Sequence, residues 1–157
     1  MPAPRVVIRR EQLDSPSATR LVAALNDELT ARYPEPGVRH IRLDPDEVGG
    51  DRGGFFVAYR GDQAVGCGAV RLLEDGSAEI KRMYVMPEER GTGVGKAILA
   101  VIEGEARRLG ALRLVLETGT RQPEAIGLYR RAGFVEIPAF GEYRITPLNQ
   151  CFGKSLG

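Results

Sequence analysis

Arg90-Gly91-Thr92-Gly93-Val94-Gly95-Lys96 sets three alternate glycines between a stretch that reads as a strand and one that reads as a long helix. Glycine has no Cβ, so the backbone here can approach a ligand closely. The amides that open the following helix lack partners within it, and together with the helix dipole they favour an anion. Each such interaction contributes ~0.3–1 kcal/mol at an exposed site, so several must act together, and a diphosphate suits them. A plain turn rarely needs so many glycines before a helix. Two familiar phosphate loops do not fit. A P-loop ending at Gly95-Lys96 would need glycine where Arg90 stands and a hydroxyl where Ala97 stands. A dinucleotide fingerprint needs Gly-x-Gly-x-x-Gly early in a βαβ unit, whereas this Gly-x-Gly-x-Gly follows a run of hairpins.

Outward from the loop, Val94, Ile98, Val101, Ile102 and Leu109 form the apolar face of a helix over 92–109, stopped at Gly110. Before it, 55–60 and 64–73 flank Gly61-Asp62 as a hairpin, and 78–86 is a third strand closed by Pro87. After it come a strand at 112–117, an amphipathic helix at 123–131 ended by Gly133, and strands at 134–137 and 148–154. The N-terminal third reads as a strand at 5–9 and a helix at 17–32 after Ser15-Pro16, ended by Pro34 and Pro36. A polar segment runs on to Gly54, with a short helical turn near 45–48 and the only histidine, His40. Helices alternate with strands only in the second half. This predicts a mixed α/β (α+β) sheet of about seven strands with helices on both faces, in one domain over 1–157.

A net charge of +1 argues against nucleic acid as the partner, and no run approaches the ~20 apolar residues of a membrane span. The start of the chain carries no signal-peptide pattern, so the expected compartment is the cytoplasm. Cys67 and Cys151 match no metal-ligand spacing and are expected as buried thiols, with no metal.

Two blocks carry a resemblance. Residues 79–95, a strand ending in Pro87 and running into the glycine loop, satisfy Arg/Gln-x-x-Gly-x-Gly/Ala at Arg90, Gly93 and Gly95. Residues 122–134 read Gln-Pro-Glu-Ala-Ile-Gly-Leu-Tyr-Arg-Arg-Ala-Gly-Phe. In this order and at this separation they resemble the GNAT family of N-acetyltransferases. The resemblance implies a twisted sheet that holds acyl-CoA between two splayed parallel strands, here 78–86 and 112–117. It implies acetyl-CoA as co-substrate, with the backbone of Met83, Tyr84 and Val85 along the pantetheine arm. Arg90, Gly91, Thr92, Gly93, Val94 and Gly95 would lie around the diphosphate, and Tyr129 near the sulfur as general acid. Gln122 stands where the family usually has Asn.

An acceptor amine of pKa ~10.4 must lose a proton at a cost of roughly 4.6 kcal/mol at pH 7, so a base is useful. Glu79 is the candidate: four residues before Met83, strict alternation sets both on one sheet face, and a glutamate here resembles the base of the histone-acetylating branch. Its other reading is a solvated strand residue paired with Lys81 or Arg82. Tyr33 and Glu142 are weaker candidates for the acceptor pocket. The expected reaction is acetyl transfer to a primary amine of a small molecule. A non-catalytic acyl-CoA-binding module and a protein N-acetyltransferase are the alternatives, and a homodimer is left open.

Overall fold

The computed structural model describes residues 5–34, 48, 52–141 and 149–157. The strands are Val6–Glu11 (β1), Gly53–Arg60 (β2), Gln63–Leu72 (β3), Ala78–Val85 (β4), Arg113–Gly119 (β5), Val135–Ile137 (β6) and Asn149–Ser155 (β7). The helices are Pro16–Arg32 (α1), Val94–Arg108 (α2) and Pro123–Arg131 (α3). The seven strands form one sheet in the order β1-β2-β3-β4-β5-β7-β6, antiparallel except for the central β4–β5 pair. This is the mixed sheet expected, with helices on both faces. Of the helical turn expected near 45–48 only Val48 is described, and His40 and Glu142 lie outside the described residues.

Local signals account for the helix ends. The Ser15 hydroxyl accepts from the Ala18 amide at 3.1 Å, and Pro16 occupies the first helical turn, which needs no amide there. α2 begins at Val94, later than expected, because Gly91 and Gly93 take φ of +80° and +96° and cannot belong to a helix. α2 and α3 cover one face of the sheet. There Ile98 and Ile102 bury completely against Val70, Ile80, Leu114 and Phe152, each contributing about 1.5–3 kcal/mol. α1 covers the other face through Leu21 and Leu25, over Val57, Cys67 and Ala69. Both cysteines are buried thiols, as expected.

The sheet departs from regularity where β3 meets β4. The register runs Cys67↔Tyr84 and then Ala69↔Lys81, so Arg82 and Met83 together oppose Gly68. Arg82, at φ +56°, is the one positive-φ residue other than glycine among the described residues. This β-bulge resets the alternation. Ala78 and Ile80 face α2, and so do Met83 and Val85, while Tyr84 faces α1. Glu79 lies opposite Arg71, on the α1 side. Glu79 and Met83 are therefore on opposite faces, contrary to the reading from strict alternation. The expectation of a solvated Glu79 is corrected too: its carboxylate is buried and accepts from Arg71 Nε at 2.9 Å and Nη2 at 2.8 Å.

On the rim, Glu105 of α2 is buried and ion-paired with Arg108 and with Arg10 of β1. Hydrogen bonds from Arg108, and then from Arg10, outweigh the cost of burial and hold its carboxyl down at about 2, below the ordinary 4.5. A depressed carboxylate stabilises the fold above its unfolded pKa and loses that contribution as pH falls through the folded value. Glu105→Gln is therefore expected to lower unfolding stability by ~1–3 kcal/mol at pH 7, allowing for the exposure of both arginines. The deficit should shrink between pH 4.5 and pH 2. Urea unfolding of both proteins across that range checks this, and a pH-independent deficit would contradict it.

Candidate functional site

The β4–β5 ladder consists of Ala78↔Leu114, Glu79↔Val115 and Ile80↔Leu116, and there it stops. β4 nevertheless runs on to Val85 and β5 to Gly119. The bulge bends β4 just past the last pair, so the strands part and leave backbone groups of each without a partner across the gap. A cleft of about 970 Å³ opens there, lined by Met83, Tyr84 and Val85, by Arg90 to Gly95 apart from Thr92 and Val94, and by Gln122 with Pro123 to Ala125 at the start of α3.

The glycine loop forms one end of this cleft. A Cβ at Gly91 or Gly93 would meet nothing within 4 Å, so their positive φ, rather than crowding, calls for glycine, and open space lies beside the loop. Gly95 differs: a Cβ there would stand 2.8 Å from Leu128, so α2 and α3 meet closely. The Val94 side chain is buried in the core, leaving its backbone at the start of α2. The loop is held from outside. Arg60 Nε donates to Glu89 at 3.0 and 3.2 Å and its Nη2 to Thr92 Oγ1 at 3.4 Å.

Arg90 turns its side chain into the walls. Nε donates to the Val85 carbonyl at 2.9 Å, Nη2 to Glu28 of α1 at 2.7 Å and Nη1 to Glu124 of α3 at 3.1 Å. Arg32 joins Glu124 as well, so four charges tie α1 and α3 together across the cleft. What the loop offers an anion is therefore chiefly its amides and the α2 N-terminus.

The remaining predicted residues are spread around the gap. The Gln122 side chain accepts from the Gly119 amide at 3.0 Å, closing the turn after β5. The Tyr33 hydroxyl accepts from the Arg121 amide at 2.8 Å; a Cβ at Gly119 would lie 1.8 Å from that oxygen, so the site of Tyr33 requires glycine. Tyr129 is buried, edge-on to Phe134 with centroids 5.8 Å apart, and does not line the cleft. Burial, then the charge of Glu117, pushes its hydroxyl well above the usual range, so it keeps its proton.

Sequence reasoning missed Glu117. It follows Leu116, the last β5 residue paired with β4, on the same side as Glu79. Burial first, then the Glu79 charge, raises its carboxyl to about 7, against a lowering by Lys81. A carboxylate ending an otherwise apolar strand was the available signal. Glu28 and Glu124 had none, since they read as the polar faces of helices.

The comparisons with known proteins agree with this geometry. Residues 18–134 match the Acetyltransferase (GNAT) family. The chain is 38% identical to an IAA acetyltransferase of Azospirillum brasilense over 98% of this chain and 99% of that one. A structure from Klebsiella pneumoniae, described as an acyl-CoA N-acyltransferase, is 32% identical with a TM-score of 0.80, covering 97% of this chain and 98% of that one. A GNAT acetyltransferase of Elizabethkingia anophelis with acetyl-CoA bound shares the fold at a TM-score of 0.66 and 18% identity, covering 96% and 97%. The chain belongs to the GNAT acetyltransferase family, and it is an acyltransferase.

Glu117 should titrate near neutrality. Removing the neighbouring negative charge makes its ionisation easier, so Glu79→Gln should move its pKa down, toward 4.5, and the Arg71 charge left behind acts in the same direction. Carboxyl-carbon NMR titration reads this directly. An unmoved value would show that the two carboxyls do not interact.

Proposed function

We propose that this GNAT acetyltransferase carries an acetyl group from acetyl-CoA to the amine of a small molecule. The observation that carries this reading is the parting of β4 from β5 beyond Ile80–Leu116, with a glycine loop and a helix N-terminus at one end of the gap. The two features suit the two halves of the coenzyme. Peptide groups of Met83, Tyr84 and Val85 pair with the pantetheine amides, and the backbone from Arg90 to Gly95 holds the diphosphate. The small-molecule acceptor is supported by the name of the Azospirillum relative and by the near-neutral chain, which has no long basic or acidic run for peptide docking.

Proton removal falls to the carboxyl pair on the α1 side of the gap. Glu79, the base suggested by the sequence, is held by Arg71 and supplies negative charge beside Glu117. Glu117, at about 7, is matched to accepting a proton near neutral pH, directly or through water. The neutral amine attacks the thioester carbon, the carbon–nitrogen bond forms and the carbon–sulfur bond breaks. Tyr129, set behind the cleft lining and within reach of the Glu117 charge, keeps its proton and is the donor of a hydrogen bond to the charge that forms on the departing sulfur. A thiol pKa of ~8.5 makes this help modest.

Two variants separate binding from chemistry. Gly93→Asp puts a carboxylate and a strained residue at φ +96° beside the diphosphate site, and calorimetry should find coenzyme A binding abolished in a folded protein. Tyr129→Phe should bind acetyl-CoA normally, with KM little changed and kcat reduced, because the hydroxyl acts on charge formed in the transition state. Unchanged affinity in Gly93→Asp would remove the loop from the coenzyme site, and a loss confined to affinity in Tyr129→Phe would make that residue a packing group.

A further inference from the structure

Gly66-Cys67-Gly68 of β3 lies opposite the extra residue of β4. Neither glycine has room for a side chain. A Cβ at Gly66 would stand 2.9 Å from the Tyr84 carbonyl oxygen, and one at Gly68 would stand 2.9 Å from Ile98 and Ile102 and 3.0 Å from Met83 Sδ. Cys67, between them, points to the other face and is fully buried. Its Sγ donates to the Arg82 carbonyl at 3.3 Å. Burial raises this thiol to about 12, so it remains a donor across the neutral range.

The acceptor of that bond is the carbonyl of the residue at φ +56°. A non-glycine residue there costs roughly 1–2 kcal/mol and persists only where the surroundings determine it. The surroundings include the thiol on the carbonyl and Asn26 of α1, which accepts from Arg82 Nη1 at 3.0 Å. The Arg82 carbonyl and the Met83 amide belong to one peptide unit. That unit is planar and trans, so its C=O and N–H point in opposite directions. With the carbonyl drawn to the Cys67 thiol, the Met83 N–H is aimed the opposite way, away from β3 and from the α1 face, and it is on the far side of β4 from β3 that β5 has parted.

We propose that Cys67 is a positioning residue for acyl transfer: its thiol holds the Arg82 carbonyl and so aims the Met83 N–H at the acetyl carbonyl in the gap. The proposal rests on the coenzyme reading above. An aimed donor polarises the carbonyl before attack and stabilises the oxyanion that forms on it. Cys67 touches neither reactant and acts through one peptide plane.

Acetyl-CoA labelled with carbon-13 at the carbonyl is the probe, read by isotope-edited infrared spectroscopy of the complex, with coenzyme A affinity measured alongside. In the native protein the carbonyl band should lie below its solution frequency. Cys67→Ala should return it toward the solution value while coenzyme A affinity stays within about twofold, since the loop is untouched. Cys67→Ser keeps a donor and should keep the native band. Should the alanine variant not fold, Cys67→Val fills the site without a donor and serves in its place. A native band in the variant without a donor, or equal losses with and without one, would overturn the role of Cys67. Failure of the coenzyme reading shows separately, as no coenzyme A binding by the native protein, and overturns both.

Discussion

One extra residue in β4 sets the geometry of the whole site. Without the bulge at Arg82–Met83, β4 would continue its parallel ladder with β5, and its alternation would keep Glu79 and Met83 on one face. With it, the strands part after Ile80–Leu116, Met83 and Val85 turn toward α2, and Tyr84 turns toward α1. The strained backbone is supported on three sides: a glycine-lined stretch of β3 gives it space, a buried thiol holds its carbonyl, and an α1 amide holds its guanidinium. The strain is local, and it is held by Cys67 of β3 and Asn26 of α1, neither of which lines the cleft.

Around that gap, charge is distributed by burial. Arg71 fixes Glu79 in the sheet, and desolvation, joined by that fixed charge, keeps Glu117 near neutrality. In a poorly solvated site this costs less than maintaining two ionised carboxylates side by side. Across the cleft, Arg90 and Arg32 are matched by Glu28 and Glu124, so the half of the molecule built on α1 is tied to the half built on α3. The loop is thereby set in place before a ligand arrives, which limits the entropy lost on binding.

Much of this was legible in the sequence, and the exceptions have physical reasons. The glycine loop could be read because Gly91 and Gly93 take conformations that other residues avoid. The strands could be read from apolar runs bounded by turn signals, and all seven fall where expected to within a few residues. The bulge was missed because its positive-φ residue is an arginine. A trace of it is nonetheless present: the apolar positions move from Ala78 and Ile80 to Met83 and Val85, an even-to-odd slip across Arg82. The partner of Glu79 was missed because it depends on the register of the turn between β3 and β4, which places Arg71 opposite. Glu117 was passed over as the end of a short apolar strand, since its environment comes from a neighbouring strand distant in sequence.

Amide hydrogen exchange with and without coenzyme A tests the central claim, that the parted strands are the coenzyme slot. The account predicts slower exchange at Met83, Tyr84 and Val85 and through Gly91 to Gly95. Ala78, Glu79 and Ile80, already within the β4–β5 ladder, should stay unchanged. Coenzyme binding that protects another surface and leaves Met83 to Val85 exchanging as before would contradict it.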